Sequence, residues 1–162
     1  MVNFAEYESP VGTLLLTSDE AGLTGLWMNR EPPADGRAEE DPILLKAQQW
    51  LDAYFRGENL PIDFPLSPKG TAFQKLVWEI LLAIPFGQTR TYGGIAREMA
   101  QKLGKETMSA QAVGGAVGSN PISILIPCHR VVGAKGQLTG YAGGLERKLW
   151  LLRHEGREGA DK

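Results

Sequence analysis

The chain has 162 residues, 43% of them hydrophobic and 22% charged, with a formal net charge of −2. This describes a globular protein of one ordinary domain or two small ones, and no apolar run approaches the ~20 residues that a membrane-crossing helix needs. One Cys and two His exclude an internal disulfide and make a poor zinc site, so a reducing cytoplasm is expected, with no metal and no cofactor.

The opening "MVNFAEYESP" lacks a basic stretch followed by an apolar one, so no signal peptide is expected. "VNFAEY", "GTLLLTS" and "GLTGLWM" are divided by the turn signals "ESPV" and "DEA" and predict a meander of antiparallel strands. "EPPADGRAEEDP" reads as a surface loop. "ILLKAQQWLDAYFRG" then places Leu44, Ala47, Leu51 and Tyr54 on one helical face, with Asp41 and Pro42 at its start and Gly57 at its end. "NLPIDFPLSPKG" is rich in proline and is expected to be a linker, dividing the chain into residues 1–68 and 69–162.

The second part is mainly helical. "TAFQKLVWEILLAIPFG" spaces Phe73, Leu76, Val77, Ile80 and Ile84 as a helix ended by Pro85 and Gly87. "TYGGIAREMAQKLG" predicts a second helix with Ile95, Met99 and Leu103 inward, and "SAQAVGGAVGSNP" a third. "ISILI" reads as a short buried strand, "VVGAKGQLTG" as a small hairpin around Lys135 and Gly136, and "GLERKLWLLRHEG" as a closing helix on Leu145, Leu149 and Leu152. Three helices and a hairpin outline a winged helix-turn-helix. The third helix is almost without side chains, through Ala110, Ala112, Gly114, Gly115, Ala116 and Gly118. Interior glycines weaken a helix by roughly 1 kcal/mol each. They serve either close packing against a neighbour or close approach to a ligand, and a slim helix suits a minor groove about 6 Å wide.

The net charge hides an asymmetry. Residues 1–68 hold 4 Lys+Arg against 12 Asp+Glu, a balance of −8, whereas residues 69–162 hold 13 against 7, a balance of +6. Either the two parts attract each other or the basic part faces an anionic partner, nucleic acid first.

The only cysteine, Cys128, stands in "ILIPCHRVVG" between Pro127 and His129. A lone cysteine is ordinarily a small buried apolar residue. Here the proline fixes the chain direction, an imidazole lies next to the thiol, and Arg130 supplies a cation that favours thiolate. A free thiol is only a few per cent ionised at neutral pH. His129 is the obvious proton acceptor, but neighbours on an extended chain point to opposite sides, so either a turn brings them together or a water bridges them. A carboxylate would hold the imidazole, and residue types alone do not say which.

"PCHRVVG", with "GGAVGSNPISILI" before it and "GYAGGLERKLWLLRHEG" after it, resembles the O6-alkylguanine-DNA alkyltransferases over about residues 70–156. The resemblance implies an α+β protein: a small N-terminal ribonuclease-H-like α/β domain followed by a winged helix-turn-helix-like domain that binds DNA and takes the alkyl group. It implies a monomer that binds double-stranded DNA, flips the alkylated guanine out and transfers the alkyl group from O6 irreversibly to its own cysteine, in a single turnover, with O4-alkylthymine as a second substrate. By the resemblance Cys128 is the nucleophile, His129 its water-linked base and Glu155 the group that orients His129. Asn120 ties the recognition helix to the reactive segment, Tyr92 reaches the flipped base, and Lys148 lies near it. Gln111, Ala112, Gly115 and Val117 fall on the recognition helix, and Arg130 is assigned to the DNA side. Carbonyls at Cys128 and Val131 would accept the guanine amino group, and amides of the loop Tyr141, Ala142 and Gly143 would meet O6. Gln111 stands where the family commonly has an arginine that fills the vacated stack. Two other readings are a DNA-lesion binder without chemistry, whose known examples lack the cysteine kept here, and a cysteine hydrolase, which would turn over repeatedly.

Overall fold

The computed structural model describes residues 2–138, 140, 141 and 144–156. The chain forms two compact units: the first runs to Lys69 and takes in Pro121–Leu125, and the second comprises Gly70–Asn120 and the chain from Ile126 onward. Among the described residues no helix is long and apolar enough to cross a membrane.

The first unit is built on strands β1 (Asn3–Ser9), β2 (Gly12–Asp19) and β3 (Gly22–Met28). They form the expected antiparallel meander, in register Asn3↔Ser18 and Leu16↔Leu26. A bulge between Thr17 and Ser18 shifts the β2–β3 register. The loop after β3 contributes one element that alternation does not reveal: β4 (Arg37–Ala38) pairs in parallel with β1, giving the order β3-β2-β1-β4. Helix α1 (Pro42–Phe55) starts where Asp41 and Pro42 place it, with the Asp41 carboxylate accepting the Leu44 amide at 2.8 Å. The same carboxylate accepts from the Asn3 side chain at 2.9 Å and from the Ser18 hydroxyl, pinning the helix to the sheet. Leu44, Ala47, Leu51 and Tyr54 are buried as the periodicity requires.

The expected linker is tied into this unit. Leu23 donates to the Pro65 carbonyl at 2.9 Å, and Ser67 to the Leu23 carbonyl at 2.7 Å. Gly22 permits this approach, because a Cβ there would lie 2.5 Å from the Pro65 oxygen. "ISILI" is buried but is not a regular strand. Leu26 donates to Pro121 and Ser123 donates to Leu26, at 2.9 and 3.0 Å, with one parallel bridge Leu26↔Ile122. The chain then turns at Ile124, whose φ of 70° is a left-handed conformation that a β-branched residue adopts only under strain of about 1–3 kcal/mol.

In the second unit α2 (Ala72–Leu82) opens with a capping box: the Thr71 hydroxyl accepts the Gln74 amide at 3.1 Å and the Gln74 side chain accepts the Thr71 amide at 2.9 Å. Two-residue β5 (Arg90–Thr91) leads into α3 (Tyr92–Leu103), capped by Thr91 and ended by Gly104 with φ of 66°. Ile95 and Met99 are buried, but Leu103 is 42% exposed. At 100° per residue it lies ~80° from the Ile95 line, and Ala96 and Ala100 take the inner face instead. Helix α4 (Ala110–Gly118) is capped by Ser109 and tied to α2 by the Trp78 indole N–H donating to the Ala116 carbonyl at 2.9 Å.

The expected hairpin is replaced by a different pairing. β6 (Val131–Val132) pairs in parallel with β5, and one rung, Gly133 donating to the Gln137 carbonyl at 2.9 Å, closes the turn after it. Helix α5 (Leu145–His154) buries Lys148, Leu151 and Leu152, while Leu145 is 49% exposed and Leu149 half-buried. The buried face is rotated from the expected one because the Lys148 ammonium has an acceptor inside, described next.

Candidate active site

Cys128, His129 and Arg130 form a single 3-10 turn after Pro127, so the reactive segment is not the end of a strand. The turn is held by the Cys128 amide donating to Ile126 at 2.7 Å and the Arg130 amide donating to Pro127 at 2.9 Å. All three side chains are buried. Burial pushes the Cys128 thiol up; a hydrogen bond from the Asn120 side chain, the Lys148 charge and local amides act against that rise. The Asn120 amide also donates to the Ile126 carbonyl at 2.8 Å, closing the chain on either side of residues 121–125.

His129 is fully buried and its Nε2 lies 2.7 Å from Oε2 of Glu155. Glu155 is held well below the usual carboxylate range: burial opposes ionisation, but bonds and charges from His129 and then Arg130 outweigh it. An ionised carboxylate only accepts, so Nε2 carries the proton and Nδ1 presents a lone pair. Nδ1 is buried with no hydrogen-bond partner among the described residues. Burial lowers the imidazole's own pKa; Glu155 counters this, and the Arg130 and Lys148 charges reinforce it. The resting pair is therefore neutral thiol and neutral imidazole, with a free acceptor nitrogen on the imidazole.

Arg130 corrects the expectation drawn for it. It points neither to the thiolate nor to solvent. Its Nε donates to Oε1 of Glu155 at 2.8 Å, one terminal nitrogen to Oε2 at 3.0 Å, and the other to the Ile84 carbonyl at 2.6 Å. The physical reason is a buried carboxylate with geometry suited to a guanidinium fork. Lys148 is fully buried, donates to the Val131 carbonyl at 2.6 Å and is pushed down to about 8 by burial, with the Cys128 charge resisting.

A cavity of about 280 Å³ opens onto Cys128 and Asn120. Tyr92, at the start of α3, and Tyr141 line it, and α4 contributes Gly114, Val117 and Gly118. Seven of the residues singled out from the sequence thus meet at one cavity, with His129, Glu155, Val131 and Lys148 in the buried surroundings of the thiol. Gln111, Ala112 and Gly115 do not join them; they are exposed on α4. Ala142 and Gly143 lie outside the described residues. Gly140, which also lines the cavity, escaped the sequence reading, since nothing marks one glycine of "TGYAGG" above its neighbours. A larger cavity of about 460 Å³ in the first unit, lined by Leu15, Trp27 and Pro33, contains none of the residues singled out for the chemistry. The slimness of α4 is not explained by packing: a Cβ at Gly115 or Gly118 would meet nothing within 4 Å, and one at Gly114 would meet only the Tyr92 ring at 3.9 Å.

Residues 72–157 match the family model described as 6-O-methylguanine DNA methyltransferase, DNA binding domain, and residues 2–68 match that of the ribonuclease-like domain of the same family. The chain is 46% identical over 158 residues to a methylated-DNA--protein-cysteine methyltransferase of Methanosarcina acetivorans, covering 94% of this chain and 97% of the relative. It is 44% identical over 160 residues to one of Mycolicibacterium paratuberculosis, covering 97% and 94%. The Mycobacterium tuberculosis protein OGT, solved in complex with DNA, superposes with a TM-score of 0.81 at 41% identity, covering 96% of this chain and 94% of that one. Two family models matched in order along the chain, with relatives similar over nearly its whole length, establish that it belongs to the 6-O-methylguanine DNA methyltransferase family.

Proposed function

We propose that the protein repairs DNA by taking the alkyl group of O6-alkylguanine, and that of O4-alkylthymine, onto Sγ of Cys128 once and irreversibly. The observation that carries this reading is the placement of a buried thiol on the wall of a cavity, with a neutral imidazole beside it in the chain whose one free nitrogen can only accept. In the duplex the damaged base is stacked, so it must be turned out to reach the sulfur. Helix α4, bare along Gly115 and Gly118, lies against the minor groove, and Tyr92 reaches the flipped base. Nδ1 of His129 takes the thiol proton through one water while Glu155 steadies the imidazolium. Sulfur attacks the alkyl carbon in line, the S–C bond forms, the C–O6 bond breaks, and its electron pair leaves with the guanine. The Tyr141 amide, on the cavity wall, meets O6. The Cys128 and Val131 carbonyls accept the guanine amino group, the second using the lone pair not engaged by Lys148. The product is a thioether, which water does not reverse, so one cysteine serves one repair. The protein works as a monomer in the cytoplasm, where its thiol stays reduced.

The test is to mix the protein with duplex DNA containing O6-methylguanine and weigh it intact. One added methyl group, mapped to Cys128, is expected. An unchanged mass, or repair of more lesions than there are protein molecules, would sink the reading.

Two further outcomes follow from α4. Gln111→Arg is expected to tighten binding to duplex DNA by roughly 0.5–2 kcal/mol, the difference between charge-assisted and neutral hydrogen bonds, because arginine adds a charge suited to the negative minor groove. Reaction with free O6-benzylguanine, which needs no flipping, should hardly change. Equal effects on both substrates would place Gln111 in the alkyl pocket instead. Gly115→Ala is expected to raise the melting temperature, since it stabilises an exposed helix position by up to about 1 kcal/mol, and at the same time to weaken DNA binding. A variant that gains stability with undiminished affinity would show that the bare face does not meet DNA.

A further inference from the structure

We infer that Arg130 is a positioning residue for the transfer: its guanidinium holds Glu155 in register with His129 and takes up part of the carboxylate charge that the imidazole would otherwise meet alone. The inference rests on the proposed role of His129 as base. The geometry behind it is a closed clamp. Glu155 caps the C-terminal end of α5, and its Oε1 accepts the Gly87 amide at 3.4 Å. It receives two guanidinium nitrogens at 2.8 and 3.0 Å, and the third nitrogen is anchored to the Ile84 carbonyl just beyond α2 at 2.6 Å. The guanidinium carbon lies 5.8 Å from the centroid of the Phe86 ring, and Arg130 is only 8% exposed. A planar fork bonded on all three nitrogens fixes both the direction and the distance of the carboxylate. Oε2 is shared: it accepts from His129 at 2.7 Å and from Arg130 at 3.0 Å.

The sharing has a chemical consequence. Among the described residues the charged and titratable groups around His129 are Glu155 and Lys148 at α5, and Cys128 and Arg130 from its own turn; the segment after α2 presents a carbonyl, an amide and an aromatic ring to Arg130 and Glu155. Of these, only Glu155 favours the imidazolium in the resting state. A carboxylate already matched by a guanidinium favours it less, so the imidazole stays neutral and ready to accept at neutral pH. Without Arg130 the undivided carboxylate charge would hold a proton on His129 to higher pH, blocking the acceptor nitrogen.

The experiment uses Arg130→Met and Arg130→Lys in the full-length protein, with the rate of the single turnover on O6-methylguanine duplex followed from about pH 5 to 8. In a stoichiometric reaction the amplitude counts folded molecules, whereas the rate constant reports on each of them, so partial unfolding does not mask the result. The acid limb of the wild-type profile is expected below the ordinary histidine value of about 6.5. Methionine should move it up by roughly one pH unit, the usual effect of one nearby charge; lysine, which keeps the charge without the fork, should move it less. A methionine limb in the wild-type position, with loss of amplitude only, overturns the inference and leaves Arg130 a packing residue. A lysine shift as large as the methionine shift overturns it too, since lost charge would then not be the cause. His129→Gln separates the two levels: an acid limb that survives in this variant overturns the base assignment, and the inference with it, whereas the arginine results overturn the inference alone.

Discussion

Cys128→Ser is expected to abolish alkyl transfer while binding duplex DNA about as tightly as the unaltered protein. The reaction needs an anion at this position, and burial already makes the thiol harder to ionise than usual. A hydroxyl holds its proton almost as water does, with a pKa near 15.7 against about 8.5 for a free thiol, so on the order of ten-millionfold less anion is available. Nothing in the fold opposes the exchange. The side chain is small, the turn is held by backbone bonds at Ile126 and Pro127, and Asn120 can donate to oxygen as it does to sulfur. Intact mass after incubation with damaged duplex reads the chemistry, and fluorescence anisotropy reads the binding. Methyl transfer at a measurable rate by the serine variant would place the nucleophile elsewhere.

The second large effect is expected from Glu155→Gln, and it has two parts. Transfer should slow at least about tenfold, toward the 10²–10⁴ that a positioned general base provides, because an amide cannot balance the imidazolium that forms as the thiolate appears. Stability should fall as well. The substitution leaves the Arg130 guanidinium buried without its counter-ion, and removing one partner of a buried pair costs about 3–5 kcal/mol. The lower end is expected, since the amide oxygen still accepts one bond and the Ile84 carbonyl remains. The pH dependence separates this from simple packing loss. The Glu155 pKa is depressed in the fold, so its stabilisation is full above the ordinary Glu value of about 4.3. It declines as pH falls below that value and is gone once pH has passed the lowered folded value. Denaturant titrations should therefore show the unaltered protein losing its advantage over the glutamine variant as the solution is acidified. A gap that stays constant down to acid pH, or a transfer rate within twofold of normal, would remove Glu155 from the relay.

What could be read in advance was what local chemistry decides. Asp41 followed by Pro42, Thr71 three residues before Gln74, and Gly104 after Leu103 each fix a helix end with groups a few residues apart. The pairing of Cys128 with His129 and Glu155 came from resemblance; residue types alone left the carboxylate open. What escaped depends on partners distant in the chain. Arg37 in a loop pairs with Asn3, and Pro65 and Ser67 in a proline-rich stretch bond to Leu23. Arg130 reads as a cation for the thiolate from its place beside Cys128, and the carboxylate that it pairs with stands 25 residues later. Lys148 broke the α5 pattern for the same reason: lysine almost never lies fully buried without a partner, and its acceptor is a backbone oxygen, which no side-chain pattern records. Ile124 could not be foreseen at all, since β-branched residues are the ones that sequence rules keep out of left-handed backbone.

The short stretch Pro121–Leu125 has a consequence for how the chain can be made and cut. It belongs to the first unit although the residues on either side of it belong to the second. As a ribosome releases the chain from its amino end, the meander can assemble early, but the Leu26 rungs stay open until residue 123 has emerged. The N-terminal unit is thus completed only after α2, α3 and α4 have been synthesised. A gene truncated after Lys69 would yield a sheet with that edge uncovered, and its complement would carry Ile122, Ile124 and Leu125, all buried in the intact protein, into water. No single cut in the gene separates one unit cleanly from the other.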